Sequence, residues 1–125
     1  MPKVLVIDDS ELALKWAQDN LPKYGFEVVT YKNTFGVTNV IQSTQPDIVL
    51  LDVNMYGIKV NALCGVLRKI PSTKDIPVAL YSSMSQEELK TLAEKCEACG
   101  YIEKTQQPEI VANHIKNFLQ KKDAD

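Results

Sequence analysis

Short apolar runs alternate with longer amphipathic stretches along this chain, and this alternation constrains the fold more than any other feature of the sequence. Each run is rich in Val, Ile or Leu, which is typical of a strand buried on both faces. The runs cover residues 3–7, 26–31, 48–51, 76–81 and 101–102. Five such runs separated by helical stretches imply parallel pairing with helices on both faces. We therefore expect an α/β fold, a doubly wound five-stranded parallel sheet.

The stretches between the runs predict five helices. In the first, 10–24, Ser10 can cap the N-terminus, and Leu12, Trp16 and Leu21 fall near one face, which we expect to pack on the sheet. The other predicted helices are one capped by Asn33 or Thr34 that ends before Gln45, and those covering 60–70, 85–95 and 108–119.

Length and charge limit the class of protein. The 125 residues are expected to form one domain, 1–125, with a core of 3–120 and a short charged C-terminal tail. A net charge of −2 argues against a nucleic-acid partner, which normally requires a basic surface. No apolar run approaches the roughly 20 residues of a membrane helix, so we expect no membrane partner.

The cysteines and the histidine predict no chemistry of their own. Cys64, Cys96 and Cys99 are an odd set without a disulfide framework, and no signal peptide is expected, so we place the chain in the cytoplasm. Cys96 and Cys99 form a Cys-x-x-Cys pattern late in the chain, which we interpret as incidental. Cys64 is expected in the core, and His114 at the surface or in packing.

Charged and polar side chains follow the predicted strands where the strands end. Asp8 and Asp9 follow the first strand, Asp52 the third, Ser82 the fourth and Lys104 the fifth. The carboxyl ends of parallel strands meet at one edge of a sheet, so these side chains should converge. Clustered carboxylates need a neutralising cation, and Mg²⁺ prefers such oxygen ligands. The set is typical of a site that stabilises a transferring phosphoryl group.

Four segments of the chain resemble the receiver domain of two-component response regulators, in particular the stand-alone receivers of the chemotaxis type. They are 4–10, 46–52 with Met55, 77–83 and 100–104, in the family's order over residues 3 to about 120. The resemblance implies a (βα)5 flavodoxin-like fold with strand order 2-1-3-4-5. It also implies Mg²⁺ as the cofactor.

The resemblance assigns the phosphoacceptor and the metal ligands. Asp52 would be the nucleophile that takes a phosphoryl group from a sensor histidine kinase or phosphotransfer protein. Asp9 would bind Mg²⁺ directly and Asp8 mainly through water, while Asp52 and the backbone carbonyl of Asn54 would complete the set. The chain would be no enzyme beyond catalysing its own phosphorylation and dephosphorylation.

The resemblance also assigns the switch. Lys104 would pair with the acceptor carboxylate and then with the phosphate, and Ser82 would donate its hydroxyl to a phosphoryl oxygen. Tyr101 would change rotamer as Ser82 moves and so alter the surface of helix 4, strand 5 and helix 5. A downstream protein would bind that surface, since we expect no output domain after residue 120.

Two loops depart from the family pattern. Met55 is followed by Tyr56, where the family commonly has proline, and Thr105 stands where it commonly has a proline with a cis peptide. A cis bond before a non-proline residue costs about 3–4 kcal/mol, so either the Lys104–Thr105 bond is strained or Lys104 approaches the site differently. These departures motivate an alternative function, a pseudo-receiver that docks partners without phosphorylation.

Two other classes share part of the pattern. A phosphatase of the haloacid dehalogenase type also uses an aspartate nucleophile, but it requires Asp-x-Asp after its first strand, whereas Asp8 and Asp9 are adjacent. A flavodoxin-type FMN protein shares the topology, but it requires a first loop rich in hydroxyl residues and glycine. Neither requirement is met by this sequence.

Overall fold

One parallel sheet of five strands organises the chain, as a computed structural model that describes residues 1–33, 35–55, 59–104 and 107–124 shows. Its strands lie in the order β2-β1-β3-β4-β5, and every neighbouring pair is parallel. The bounds are β1 (Lys3–Ile7), β2 (Glu27–Tyr31), β3 (Ile48–Asp52), β4 (Val78–Ser82) and β5 (Gly100–Glu103). The predicted fold class and strand order are therefore confirmed.

Helices connect the strands and cover the sheet. They are α1 (Glu11–Asn20), α2 (Val37–Thr44), α3 (Val60–Lys69), α4 (Gln86–Cys96) and α5 (Pro108–Ala124), with a 3₁₀ segment (Leu21–Tyr24) after α1. The single helix predicted over 10–24 is thus divided, because Pro22 cannot donate a backbone hydrogen bond to a continuing α-helix. Gly25 then ends the segment at a φ of 94°. Among the described helices, none is long and apolar enough to cross a membrane.

The three central strands β1, β3 and β4 bury both of their faces, so the molecule has two core clusters. The first cluster lies on the sheet face that α2, α3 and α4 cover and includes Leu5, Val49, Leu51 and Leu80. The second lies on the face that α1 and α5 cover and includes Val4, Leu50, Tyr81, Ile102, Val111 and Ile115. All residues of β3 and β4 are buried, which explains why their runs are continuously apolar rather than alternating.

The buried face of α1 differs from the predicted one. Leu12 is 81% exposed, whereas Ala17 and Leu21 belong to the second core cluster and Leu14 and Trp16 are partly buried against it. Leu12 and Leu21 are nine positions apart, which at 3.6 residues per turn places them about 180° apart around a helix. The prediction that both share one face was wrong.

Two further local predictions need correction. Gly36, at a φ of 75°, occupies the N-cap of α2, and Asn33 does not cap it; Thr34 lies outside the described residues. A Cβ atom at Gly36 would lie 3.1 Å from the Tyr31 hydroxyl, so both the backbone angle and the space favour glycine there. β4 begins at Val78, two residues later than predicted, because the preceding Pro77 has no amide hydrogen for the ladder.

Candidate functional site

Three carboxylates converge at the carboxyl edge of the sheet, as the sequence predicts. Asp8 and Asp9 follow β1, and Asp52 is the last residue of β3. One oxygen of each lies within 4.8 Å of the others. Asp8 and Asp52 are buried, with 0% and 2% exposure, whereas Asp9 is exposed to solvent. The cluster therefore has a buried floor and an open side.

Backbone hydrogen bonds fix Asp8 in this cluster. Its amide donates to the carbonyl of Tyr31 at 3.1 Å, which ties the end of β1 to the end of β2. Its Oδ1 accepts from the amide of Ser10 at 3.0 Å. The Ser10 hydroxyl in turn accepts from the amide of Ala13 at 3.2 Å and caps α1, as predicted. The same short turn thus orients the carboxylate and starts the helix.

Lys104 extends from the end of β5 to the two buried carboxylates. Its Nζ lies 2.6 Å from Oδ2 of Asp8 and 3.4 Å from Oδ1 of Asp52. Oδ2 of Asp8 is buried and forms an ion pair with Lys104, but among the described residues it has no well-aligned hydrogen-bond partner. One ammonium group therefore faces two buried negative charges, and one carboxylate oxygen retains unused bonding capacity.

Burial is the main cause of the raised pKa of Asp52, and the neighbouring charge of Asp8 raises that pKa further. The backbone N–H of Asn54, which donates to Oδ1 of Asp52 at 3.2 Å, acts in the opposite direction, as does Lys104. The net direction is upward, so the ionised carboxylate is stabilised less than it would be in water. A cation bound beside it would favour the ionised, nucleophilic form.

Ser82 ends β4 with its hydroxyl buried next to this cluster. Its Oγ accepts hydrogen bonds from the side-chain amide of Asn54 at 3.0 Å and from the backbone amide of Met84 at 3.1 Å. A hydroxyl has two acceptor positions and one hydrogen to donate. Because both acceptor positions of Ser82 are in use, its hydrogen is available for another acceptor, such as a phosphoryl oxygen.

The remaining residues assigned from the resemblance have different placements. Tyr101 lies on β5, partly buried against the first core cluster, one strand away from Ser82. Asn54 follows Asp52 closely, and the contribution of its carbonyl to a metal site stays a prediction. The departures at Tyr56 and Thr105, including the Lys104–Thr105 peptide, lie outside the described residues.

Two contributions to the site were not predicted from the sequence. The side chain of Asn54 holds Ser82, whereas only the backbone carbonyl of Asn54 was expected at the site. The ring centroid of Tyr81 lies 5.6 Å from Nζ of Lys104. The strand register contains the signal for Tyr81, since this residue pairs with Asp52. The distance itself could not be obtained from residue types alone.

The cysteines and the histidine lie away from the acidic cluster. Cys64 and Cys96 are buried in the first core cluster, and burial raises the pKa of Cys64 to about 12. Cys99 packs against the second core cluster, so Cys96 and Cys99, the two thiols of the Cys-x-x-Cys pattern, pack on opposite faces of the sheet. His114 stacks on Phe118 in α5 with 6.3 Å between ring centroids. Packing thus accounts for the position of each.

A buried carboxylate beside a lysine, a free hydroxyl hydrogen and an acidic pair is an arrangement that can accept a phosphoryl group. Residues 4–116 match the family model of the response regulator receiver domain. The chain belongs to this family. It is thus a signalling domain, and the phosphatase and flavodoxin-type alternatives do not apply.

Curated relatives of this receiver domain differ in length. This chain is 27% identical over 119 residues to protein PilH of Pseudomonas aeruginosa, and the alignment covers 95% of this chain and 98% of PilH. It is 30% identical over 121 residues to the transcriptional regulatory protein YxdJ of Bacillus subtilis, covering 97% of this chain and 52% of YxdJ. The receiver domain thus spans about half the length of YxdJ and nearly all of PilH.

Solved structures show the same flavodoxin-like receiver fold. The chemotaxis response regulator CheY4 of Vibrio cholerae is 24% identical, with a TM-score of 0.84 over 94% of this chain and 98% of CheY4. The receiver domain of RstA from Klebsiella pneumoniae, in a BeF3-activated form, is 25% identical, with a TM-score of 0.81 over 94% of this chain and 97% of that chain.

Proposed function

We propose that this receiver domain acts as a single-domain response regulator that takes a phosphoryl group onto Asp52 and signals through protein–protein contacts. The donor is a sensor histidine kinase or a phosphotransfer protein. The observation that carries the proposal is the buried Asp52 carboxylate with Asp8, Asp9 and Lys104 around it. The similarity to PilH, which extends over 98% of that protein, supports a role for a receiver of this size.

The donor set fits Mg²⁺. This ion prefers one or two carboxylates with several waters, and here two carboxylates are buried while Asp9 is open to solvent. The buried Oδ2 of Asp8, which lacks an aligned hydrogen bond among the described residues, has capacity for a metal or for a metal-bound water. Asp8, Asp9, Asp52 and the carbonyl of Asn54 would hold the ion. Bound there, it would neutralise charge on the carboxylates and on the phosphoryl oxygens.

In the transfer step, a carboxylate oxygen of Asp52 forms a bond to phosphorus while the bond from phosphorus to the donor nitrogen breaks. The nitrogen keeps the bonding electron pair and takes up a proton. Lys104 stays beside the carboxylate and balances the negative charge that arrives with the phosphoryl group. Ser82 donates a hydrogen bond from its hydroxyl to a phosphoryl oxygen, since both acceptor positions of that hydroxyl are already in use.

The proposed conformational switch begins at the Ser82 hydroxyl. To donate its hydrogen to the phosphoryl group, the Ser82 hydroxyl moves towards it, and this movement weakens the contacts that its oxygen accepts from the Asn54 amide and the Met84 backbone. Met84 precedes Ser85, the N-cap of α4, so a change in its contact alters the start of that helix. Tyr101 then turns into the vacated space. These changes reshape the face of α4, β5 and α5, to which a downstream protein binds.

Phosphoryl uptake from a small donor tests this function. We expect acetyl phosphate or phosphoramidate with Mg²⁺ to add one phosphoryl group to the wild type in an intact-mass spectrum. Chelation of Mg²⁺ should abolish the adduct, and Asp52→Ala should not form it. If both donors fail and beryllofluoride also fails to bind, the pseudo-receiver alternative replaces this function.

The three free thiols support the cytoplasm as the place of action. Cysteines in oxidising compartments are usually paired in disulfides. A receiver domain whose cysteines stay free thiols, although Cys64 and Cys96 lie in the same core cluster, suits a reducing compartment. The phosphoryl donor would then act on this domain in the cytoplasm.

A further inference from the structure

We propose that Tyr81 is a positioning residue for the phosphotransfer, whose ring holds the ammonium group of Lys104 between Asp8 and Asp52. The inference rests on the proposed function and adds a residue to it. The ring centroid of Tyr81 lies 5.6 Å from Nζ of Lys104. This distance is within the range at which an aromatic face attracts a cation.

The strand order requires Lys104 to pass Tyr81. Lys104 follows β5, Asp52 ends β3, and β4 lies between these two strands. Adjacent strands are roughly 4.8 Å apart, so the lysine side chain crosses about two strand spacings to reach Asp52. The β4 residue level with Asp52 is Tyr81, which pairs in register with Asp52 on one side and with Ile102 on the other.

The ring of Tyr81 is a rigid support for a flexible side chain. Tyr81 is 3% exposed and packs in the second core cluster, with residues of α1 and α5. Lys104 has four rotatable side-chain bonds, and the two carboxylates alone leave its ammonium group free to move between them. A contact with the ring restricts that movement. The attraction is strengthened because only 22% of the Lys104 side chain is exposed to water.

A second lysine–aromatic pair provides a matched control. Nζ of Lys116 lies 6.0 Å from the ring centroid of Phe26. Phe26 is 1% exposed and belongs to the same core cluster as Tyr81. Phe26 precedes β2, however, and so lies at the amino ends of the strands, whereas the acidic cluster lies at their carboxyl ends. Phe26→Leu therefore removes a comparable buried ring without a contact to the site.

The experiment compares initial rates of phosphoryl uptake from acetyl phosphate at saturating Mg²⁺, measured by intact mass. Tyr81→Leu should take up the phosphoryl group about five- to tenfold more slowly than the wild type, as expected for loss of a partly desolvated cation–π contact. Tyr81→Phe retains the ring and should restore the rate. Phe26→Leu should lower the melting temperature without slowing uptake. Calorimetric titration should show the same Mg²⁺ affinity in all four proteins.

The outcomes separate this inference from the function on which it rests. No adduct on the wild type with either donor, together with no binding of beryllofluoride, would overturn both. If the adduct forms as fast on Tyr81→Leu as on the wild type, the role of Tyr81 is overturned and the proposed function stays intact. The same holds if it forms as slowly on Tyr81→Phe and Phe26→Leu as on Tyr81→Leu. If Tyr81→Leu does not fold, Tyr81→Met replaces it, since methionine fills the volume without an aromatic face.

Discussion

Asp8 and Asp52 are both withdrawn from water, and Lys104 contacts them at 2.6 Å and 3.4 Å. Two negative charges against one positive charge leave the buried part of the site with an excess of negative charge. Burial raises the pKa of Asp52, and the charge of Asp8 adds to the effect. The ionised Asp52 therefore opposes folding at neutral pH, while the same imbalance attracts a divalent cation.

We expect Asp52→Asn to stabilise the fold by about 1 kcal/mol at pH 7 without Mg²⁺, because it removes a poorly compensated buried charge. The pKa of Asp52 in the folded state lies above its ordinary value of 3.8. The wild type therefore loses stability as the pH rises from that value through the folded-state pKa. The advantage of the variant should vanish at pH values below this window. Urea denaturation at neutral and acidic pH measures both effects.

Asp19→Asn is the matched control for this prediction. Asp19 is an exposed carboxylate that pairs with Lys15 on the surface of α1, and such pairs contribute little to stability. Its replacement should leave the free energy of unfolding nearly unchanged. If Asp52→Asn destabilised the protein, or if its effect were independent of pH, the assignment of a raised pKa to Asp52 would be wrong.

At the scale of elements, the sequence predicted the strands well and the helix surfaces less well. Apolar runs such as 48–51 are long enough to identify a strand on their own, because both faces of the sheet are covered. Leu12 was misplaced, because a hydrophobic residue at the surface gives the same signal as one in the core. The N-cap at Gly36 was missed, because the positive φ of this glycine and its closeness to Tyr31 arise only in the fold.

The same limit applies to the site. Strand ends sufficed to bring Asp8, Asp52, Ser82 and Lys104 together, because parallel topology sends them to one edge. Their placement is as expected, while their roles stay predictions. The ring of Tyr81 beside Lys104 and the side chain of Asn54 on Ser82 depend on side-chain directions across neighbouring elements. Residue types along one chain do not contain those directions.

β5 and α5 approach each other closely at Gly100, where a Cβ atom would lie 2.5 Å from the ring of Phe118. We expect Gly100→Ala to destabilise the protein by about 1–2 kcal/mol, because the ring must move out of a packed position. Gly65→Ala in α3 should instead stabilise it by up to about 1 kcal/mol, since nothing lies within 4 Å of the added Cβ atom. Thermal denaturation of both variants checks the contrast.

A double-mutant cycle identifies the cause of the Gly100 effect. Phe118→Leu shortens the side chain that the new methyl group would meet, so Gly100→Ala should be less harmful in that background. Equal effects in both backgrounds would contradict the close-approach explanation.

For the whole molecule, we expect groups buried in the two core clusters to become accessible only on global unfolding. Cys64 is 1% exposed, and burial raises its pKa to about 12 and that of Cys99 to about 11. An ordinary thiol with a pKa of about 8.5 is partly ionised at pH 8, whereas these thiols are not. The fold thus protects its cysteines both by burial and by keeping them protonated.

We expect Ellman's reagent at pH 8 to label Cys64 only as fast as the protein unfolds globally. All three cysteines should react at once in denaturant. If Mg²⁺ binds the folded state, its addition should slow the labelling of Cys64 in proportion to the stability gained. Rapid labelling of Cys64 that is independent of stability would show that the first core cluster opens locally.

The most direct test of the central claim is to locate the phosphoryl group on the chain. After treatment with acetyl phosphate and Mg²⁺, borohydride reduction converts an acyl phosphate on aspartate into homoserine, which peptide mass spectrometry can locate. We expect homoserine at position 52 and at neither Asp8 nor Asp9. Homoserine at position 8 or 9, or none in a protein that shows the phosphoryl adduct, would contradict the assignment of Asp52 as the acceptor.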